Sequence, residues 1–219
     1  MEWVSSLLNL LRQAWEYAAA RPDEFTHAVG DHLLLVAIAL GVGVLVCVPL
    51  GIWTARSHWA SLVVMNTVNG LRVLPSLAVL FLLIPFLGLS TGSAAVALTV
   101  LAMPPILINT DAAFRNLDAA VLEAARGMGM TAGQVLWRIE FLLALPVILA
   151  GIRTAVVEVI SSATLAAFVG SGGLGIYITR GFALYDYAIL MVGAVPVALL
   201  TLVAERCMAL LQRLVQIPA

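Results

Sequence analysis

From Leu33 to Trp53 the chain carries no charged side chain, and nearly as apolar runs recur at about 62–87, 93–109, within 141–168, and at about 187–209. A helix needs about 20 mostly apolar residues to cross a bilayer, where its backbone must satisfy its own hydrogen bonds. The chain has 219 residues, of which 63% are hydrophobic and 11% charged, with a mean hydropathy of +1.08. One soluble core could not hide that much apolar surface. The expectation is therefore an all-α polytopic membrane protein with five transmembrane helices.

Composition excludes several functions. Net charge is −1, which gives no electrostatic footprint for nucleic acid. All 11 basic residues are Arg, so the chain has no lysine for a Walker A phosphate loop or a Schiff base. Cys47 and Cys207 fall in or beside different apolar segments and are expected to be free thiols. A secondary transporter would be expected to show two related halves with paired broken helices, and no repeat is visible. An intramembrane hydrolase would need a base within the spans. His27, His32 and His58 read as polar flanks, which leaves Ser161, Ser162 and Ser171 without one.

Residues 1–31 place Trp3, Leu7, Leu11 and Trp15 at helical spacing among charged residues, as in an amphipathic helix lying on a membrane face. The run Ala18-Ala19-Ala20 lacks a basic region and an unbroken apolar region ahead of it, so it does not read as a signal cleavage site. Residues 32–219 form the expected transmembrane domain, interrupted by a polar stretch at 111–140. If that stretch is cytoplasmic, Arg56, Arg115, Arg126, Arg138, Arg206 and Arg213 lie inside and Arg12, Arg21 and Arg180 outside. The positive-inside rule then favours an N-out, C-in arrangement.

Within 111–140, Asp118 can cap a short helix from Ala119 to about Arg126. Gly127 and Gly129 permit a tight or left-handed turn after it. Thr131-Ala132-Gly133-Gln134 reads as a capping box that starts a second helix. Such a hairpin presents a low, smooth surface to a groove on another protein; a plain connecting hairpin is the alternative.

The motifs Val73-Leu74-Pro75-Ser76-Leu77-Ala78, Met103-Pro104-Pro105-Ile106, Asn109-Thr110, Glu123 to Met130, Ala150 to Ala155 and Gly170 to Gly175 together resemble the permeases of osmoprotectant ABC importers, which take up glycine betaine, choline or carnitine. The resemblance implies the type I ABC-importer permease fold in a bacterial cytoplasmic membrane. It implies two ATPase subunits, a second permease chain (a copy or a paralogue) and an extracytoplasmic binding protein as partners. It also implies that ATP and Mg are used by the ATPase, with no cofactor in this chain. Glu123, Ala124, Ala125, Gly127 and Gly129 would then form the ATPase-coupling loop. Another small solute, such as an amino acid, is the alternative cargo. The chain departs from the family pattern at Phe141-Leu142, where Leu-Pro is usual, and at Arg72, where an uncharged amide is expected.

Charges inside the spans are the remaining pathway candidates. A buried Arg costs about 2.5–3.5 kcal/mol on insertion scales, so Arg72 must face protein or water, or snorkel beside a carboxylate partner. Arg153 and Glu158 point about 140° apart on a straight helix and should not pair within it. Arg153 reads as structural, while Glu158 could meet a quaternary ammonium group. Glycines at 170–175 suggest close packing or a re-entrant turn. By the resemblance, Thr164, Leu165 and Phe168 are candidates for an apolar gate.

Overall fold

The computed structural model describes residues 2–215; Met1 and residues 216–219, which end the expected regions 1–31 and 32–219, lie outside the described residues. Every regular element among the described residues is helical. Helix α1 (Glu2–Ala19) buries Ala14 and leaves Trp3 and Trp15 exposed. Helix α2 (Pro22–Arg56) starts on a proline, where the missing N–H is not needed, and runs unbroken past Asp31 and through the first apolar run. His32 is thereby interior rather than flanking: it is 1% exposed, beneath a glycine loop described below.

The expected second span is not straight. It consists of α3 (His58–Leu71) and α4 (Ser76–Leu87), bent by 102° where Arg72 to Pro75 join them. Pro75 lacks the N–H that would continue the helix and disfavours helical geometry in Leu74. Helix α5 (Thr91–Arg115) then begins in a reciprocal capping box between Ser90 and Ser93.

Short elements follow. They are α6 (Ala119–Gly127), α7 (Ala132–Val135) and a single π turn over Leu136–Glu140, which leads into α8 (Phe141–Ser162). A 3₁₀ segment, Ala163–Val169, closes that span. Helix α9 (Gly175–Leu184) is short, and α10 (Tyr187–Val215) is the last long apolar helix.

Contacts between helix ends fix the number of crossings. The Thr54 carbonyl accepts from Arg115 Nη2 at 2.6 Å, so α2 and α5 end on the same side and run parallel. The intervening chain must therefore cross back, and the bent α3–α4 pair is that crossing. Arg56 pairs with Glu140 at the same end, which sets α8 antiparallel to both. Gln212 donates to the Pro146 carbonyl at 3.2 Å and Glu205 pairs with Arg153, so α10 returns antiparallel to α8. The result is five crossings, with the end of α10 on the side of the α6–α7 hairpin and the start of α2 on the other.

Helices in lipid gain nothing from hiding apolar surface from one another, so close backbone approach decides their packing. A Cβ at Gly151 of α8 would lie 2.6 Å from the Pro105 carbonyl oxygen and 2.7 Å from Asn109 Cβ, both on α5. A Cβ at Gly51 of α2 would lie 2.7 Å from Thr110 Cβ. Replacing Gly151 with Leu should lower stability by about 1–3 kcal/mol through overpacking, read as a lower Tm of the detergent-purified protein. Gly30→Ala is the control, since a Cβ there meets nothing within 4 Å; its Tm should stay level or rise.

Candidate functional site

The α6–α7 hairpin is built almost wholly from local signals. Asp118 Oδ1 accepts from the Ala120 N–H at 2.8 Å and caps α6. At the other end the Gly129 N–H donates to the Arg126 carbonyl at 2.9 Å and the Met130 N–H to the Ala125 carbonyl at 3.3 Å. With Gly129 at φ +84°, this is a Schellman motif with glycine at its left-handed position. Gly127 is the last residue of the helix and does not supply the left-handed turn. The capping box forms in both directions: the Gln134 N–H donates to Thr131 Oγ1, and the Thr131 N–H to Gln134 Oε1 at 2.8 Å.

The hairpin has two faces. Glu123, Ala124, Gly127 and Gly129 are exposed, as is Met128 at 76%. Ala125 is 2% exposed and packs inward, so a partner protein would meet the other four. Beneath the hairpin lies a cleft lined by Leu122, Arg126, Val135, Phe114, Arg56 and Glu140.

The charged residues of the spans divide into two groups. Arg153 on α8 pairs with Glu205 and lies 3.5 Å from Gln212 Oε1, both on α10. Sequence reasoning missed this tie, although a carboxylate inside the last apolar run and an arginine inside the preceding one were the signal for it. As expected, Arg153 does not pair with Glu158. Glu158 instead lies on an exposed stripe of α8 with Thr154 and Ser161. The two hydroxyls satisfy themselves on carbonyls of their own helix, Ala150 and Val157, whereas Glu158 has no such local partner. Arg72, exposed at the α3–α4 bend, lies within Coulombic reach of the Glu158 carboxylate.

The 3₁₀ segment holds the three gate candidates in different surroundings. Phe168 is 52% exposed. Thr164 is half-buried, and its hydroxyl donates to the Ser161 carbonyl at 2.7 Å. Leu165 is half-buried against the main core. The glycine loop after it is a packing device. A Cβ at Gly175 would come within 2.0 Å of the Thr164 carbonyl oxygen, and one at Gly172 within 2.6 Å of Asp31 Oδ2. Gly173, at φ +95°, lies over His32.

Five helical crossings with an exposed, locally capped hairpin on one side define a polytopic membrane protein. Residues 47–217 match the family described as the binding-protein-dependent transport system inner membrane component, and the chain belongs to that family. It is 38% identical over 203 residues to the glycine betaine/carnitine/choline transport system permease protein OpuCB of Bacillus subtilis (strain 168), covering 93% of this chain and 94% of that one. It is 41% identical over 197 residues to the carnitine transport permease protein OpuCB of Listeria monocytogenes, covering 90% and 84%. Its fold is that of a chain in the inward-facing MetNI methionine ABC transporter, with a TM-score of 0.79 at 22% identity, covering 89% of this chain and 97% of that one.

The hairpin gives a direct test. A Cβ at Gly129 meets nothing within 4 Å in this chain, so Gly129→Val acts through its positive φ and through whatever docks there. The variant should insert and accumulate normally while ATP use is uncoupled from uptake in the assembled transporter. Unchanged uptake per ATP at equal expression would refute the role of this turn.

Proposed function

We propose that this chain is the permease of an ATP-driven importer whose cargo is an osmoprotectant such as glycine betaine, carnitine or choline, delivered by an extracytoplasmic binding protein. The observation that carries this reading is the exposed, self-capped α6–α7 hairpin on a chain of this family. Its Glu123, Ala124, Gly127 and Gly129 face outward, ready for a cleft in an ATPase subunit. The printed substrates of the relatives support the choice of cargo.

In this reading two ATPase subunits hold the ATP and Mg and each receives one hairpin. Two permease chains, copies or paralogues, enclose the path between them. Five crossings are too few to surround a solute of this size alone. The hairpin lies in the cytoplasm, and the distribution of arginines supports the N-out, C-in orientation. The stripe with Thr154, Glu158 and Ser161, together with Arg72, faces the path, because a charged group turned to lipid would cost about 2.5–3.5 kcal/mol. Leu165 and Phe168, with Thr164, narrow it toward the outer side.

The purified chain should show no ATP hydrolysis. With the ATPase and the binding protein in proteoliposomes, it should give ATP-dependent uptake of radiolabelled glycine betaine, competed by carnitine or choline. Hydrolysis by the single chain, or uptake that needs no ATPase, would overturn the assignment. A second outcome concerns the division of labour. Glu158→Gln and Leu165→Ala should change the rate of uptake or the leak, with the order of preferred solutes unchanged. An altered solute preference in Glu158→Gln, alongside no effect of exchanging the binding protein, would place selectivity in this chain instead.

A further inference from the structure

We propose that the Arg56–Glu140 ion pair is the strut that carries movement of the α6–α7 hairpin into the spans, with both residues acting as positioning residues for coupling. The proposal rests on the importer reading above.

Arg56 is the last residue of α2, and Glu140 is the last residue of the π turn that joins the hairpin to α8. They are 84 positions apart in sequence. The Glu140 side chain is 11% exposed and that of Arg56 51%. Glu140 is thus a nearly buried carboxylate whose one ion-pair partner among the described residues is a half-exposed guanidinium.

The pair sits where a π turn joins the hairpin to α8. The Phe141 N–H reaches back to the Leu136 carbonyl, five residues away. The extra residue in that turn sets the following chain back by about 100° relative to a continuous α-helix.

The receiving end of the strut is rigid. Arg115 holds Asp111 at 2.7 Å and also donates to the Thr54 carbonyl, so the end of α2 is tied to the end of α5 just beside Arg56. The Thr54 hydroxyl in turn donates to the Gly51 carbonyl, and Gly51 packs directly on Thr110. A displacement of the hairpin that moves Glu140 therefore reaches α2 and α5 together. Leu122 and Arg126 of α6 line the same cleft as the pair, so the strut lies directly beneath the exposed docking face.

The test uses the complete transporter in proteoliposomes, with uptake and ATP hydrolysis measured in the same preparation. Glu140→Gln keeps the shape but removes the charge. It should lower uptake per ATP by about five-fold or more, the scale of an ordinary coupling free energy, with hydrolysis largely retained. The double exchange Arg56→Glu with Glu140→Arg should restore most of the ratio. If Glu140→Gln fails to assemble, Arg56→Gln, at the more exposed partner, is read in its place with the same expectation. Normal uptake per ATP in the single variant overturns the proposal. So does a parallel fall of uptake and hydrolysis at constant ratio, or a lowered ratio that the double exchange leaves unrestored. Absence of ATP-driven uptake in the unsubstituted complex overturns the importer reading itself.

Discussion

The close approach of α2 and α8 to α5 is the constraint on which the rest of this structure depends. In lipid, helices associate through packing rather than through escape from water, so the backbones must come within touching distance. Gly43 and Gly51 admit α5 to α2 at Ala102 and Thr110, and Gly151 admits it to α8 at Pro105 and Asn109. α5 accordingly holds the most fully buried side chains, including Leu98, Ile106 and Leu107. Because α6 follows α5 after only Asn116, Leu117 and Asp118, the exposed hairpin is anchored directly to the most buried helix.

Charge placement divides the ionised residues of the spans into two groups. Arg153–Glu205, Arg115–Asp111 and Arg56–Glu140 each bind one element to another or brace a helix end. Such pairs are weak evidence for stability, since desolvation offsets much of their attraction, but breaking one leaves a charge stranded. Arg72 and Glu158 differ from them in facing outward from the single chain. Their one mutual interaction is Coulombic, between the α3–α4 bend and α8.

Much of this was legible in the sequence, for physical reasons that differ between regions. The apolar runs gave all five crossings, because length and hydropathy are the dominant signals in a bilayer. The hairpin was legible in detail because Asp118, Gly129 and the Thr131–Gln134 box act locally. The 102° bend at Arg72 to Pro75 was not, since a proline within a span permits a kink without fixing its angle. His32 was misread as flanking because α2 extends ten residues before it, where charged residues mask the helix. The Arg56–Glu140 pair was also missed. The partners lie 84 positions apart, and no local periodicity links the end of α2 to the start of α8.

These local and non-local features meet at the hairpin end of the bundle. Ala113, Phe114, Ala144 and Ile148 form a small core of their own, separate from the main one, with Val48, Ile52, Ala55, Leu117, Leu136 and Phe141 packed against it. It draws on α2, α5, α8 and the π turn, the same elements that the ion pairs brace. The hairpin's outer surface is shaped by its own caps, independently of the bundle. Its inner surface rests on a compact unit in which three span ends are packed and ion-paired. The hairpin is thus packed against the ends of three spans at once, and Glu158 and the 3₁₀ segment lie further along α8. In the proposed importer, this arrangement would let a surface only a few residues wide act along the whole length of the spans.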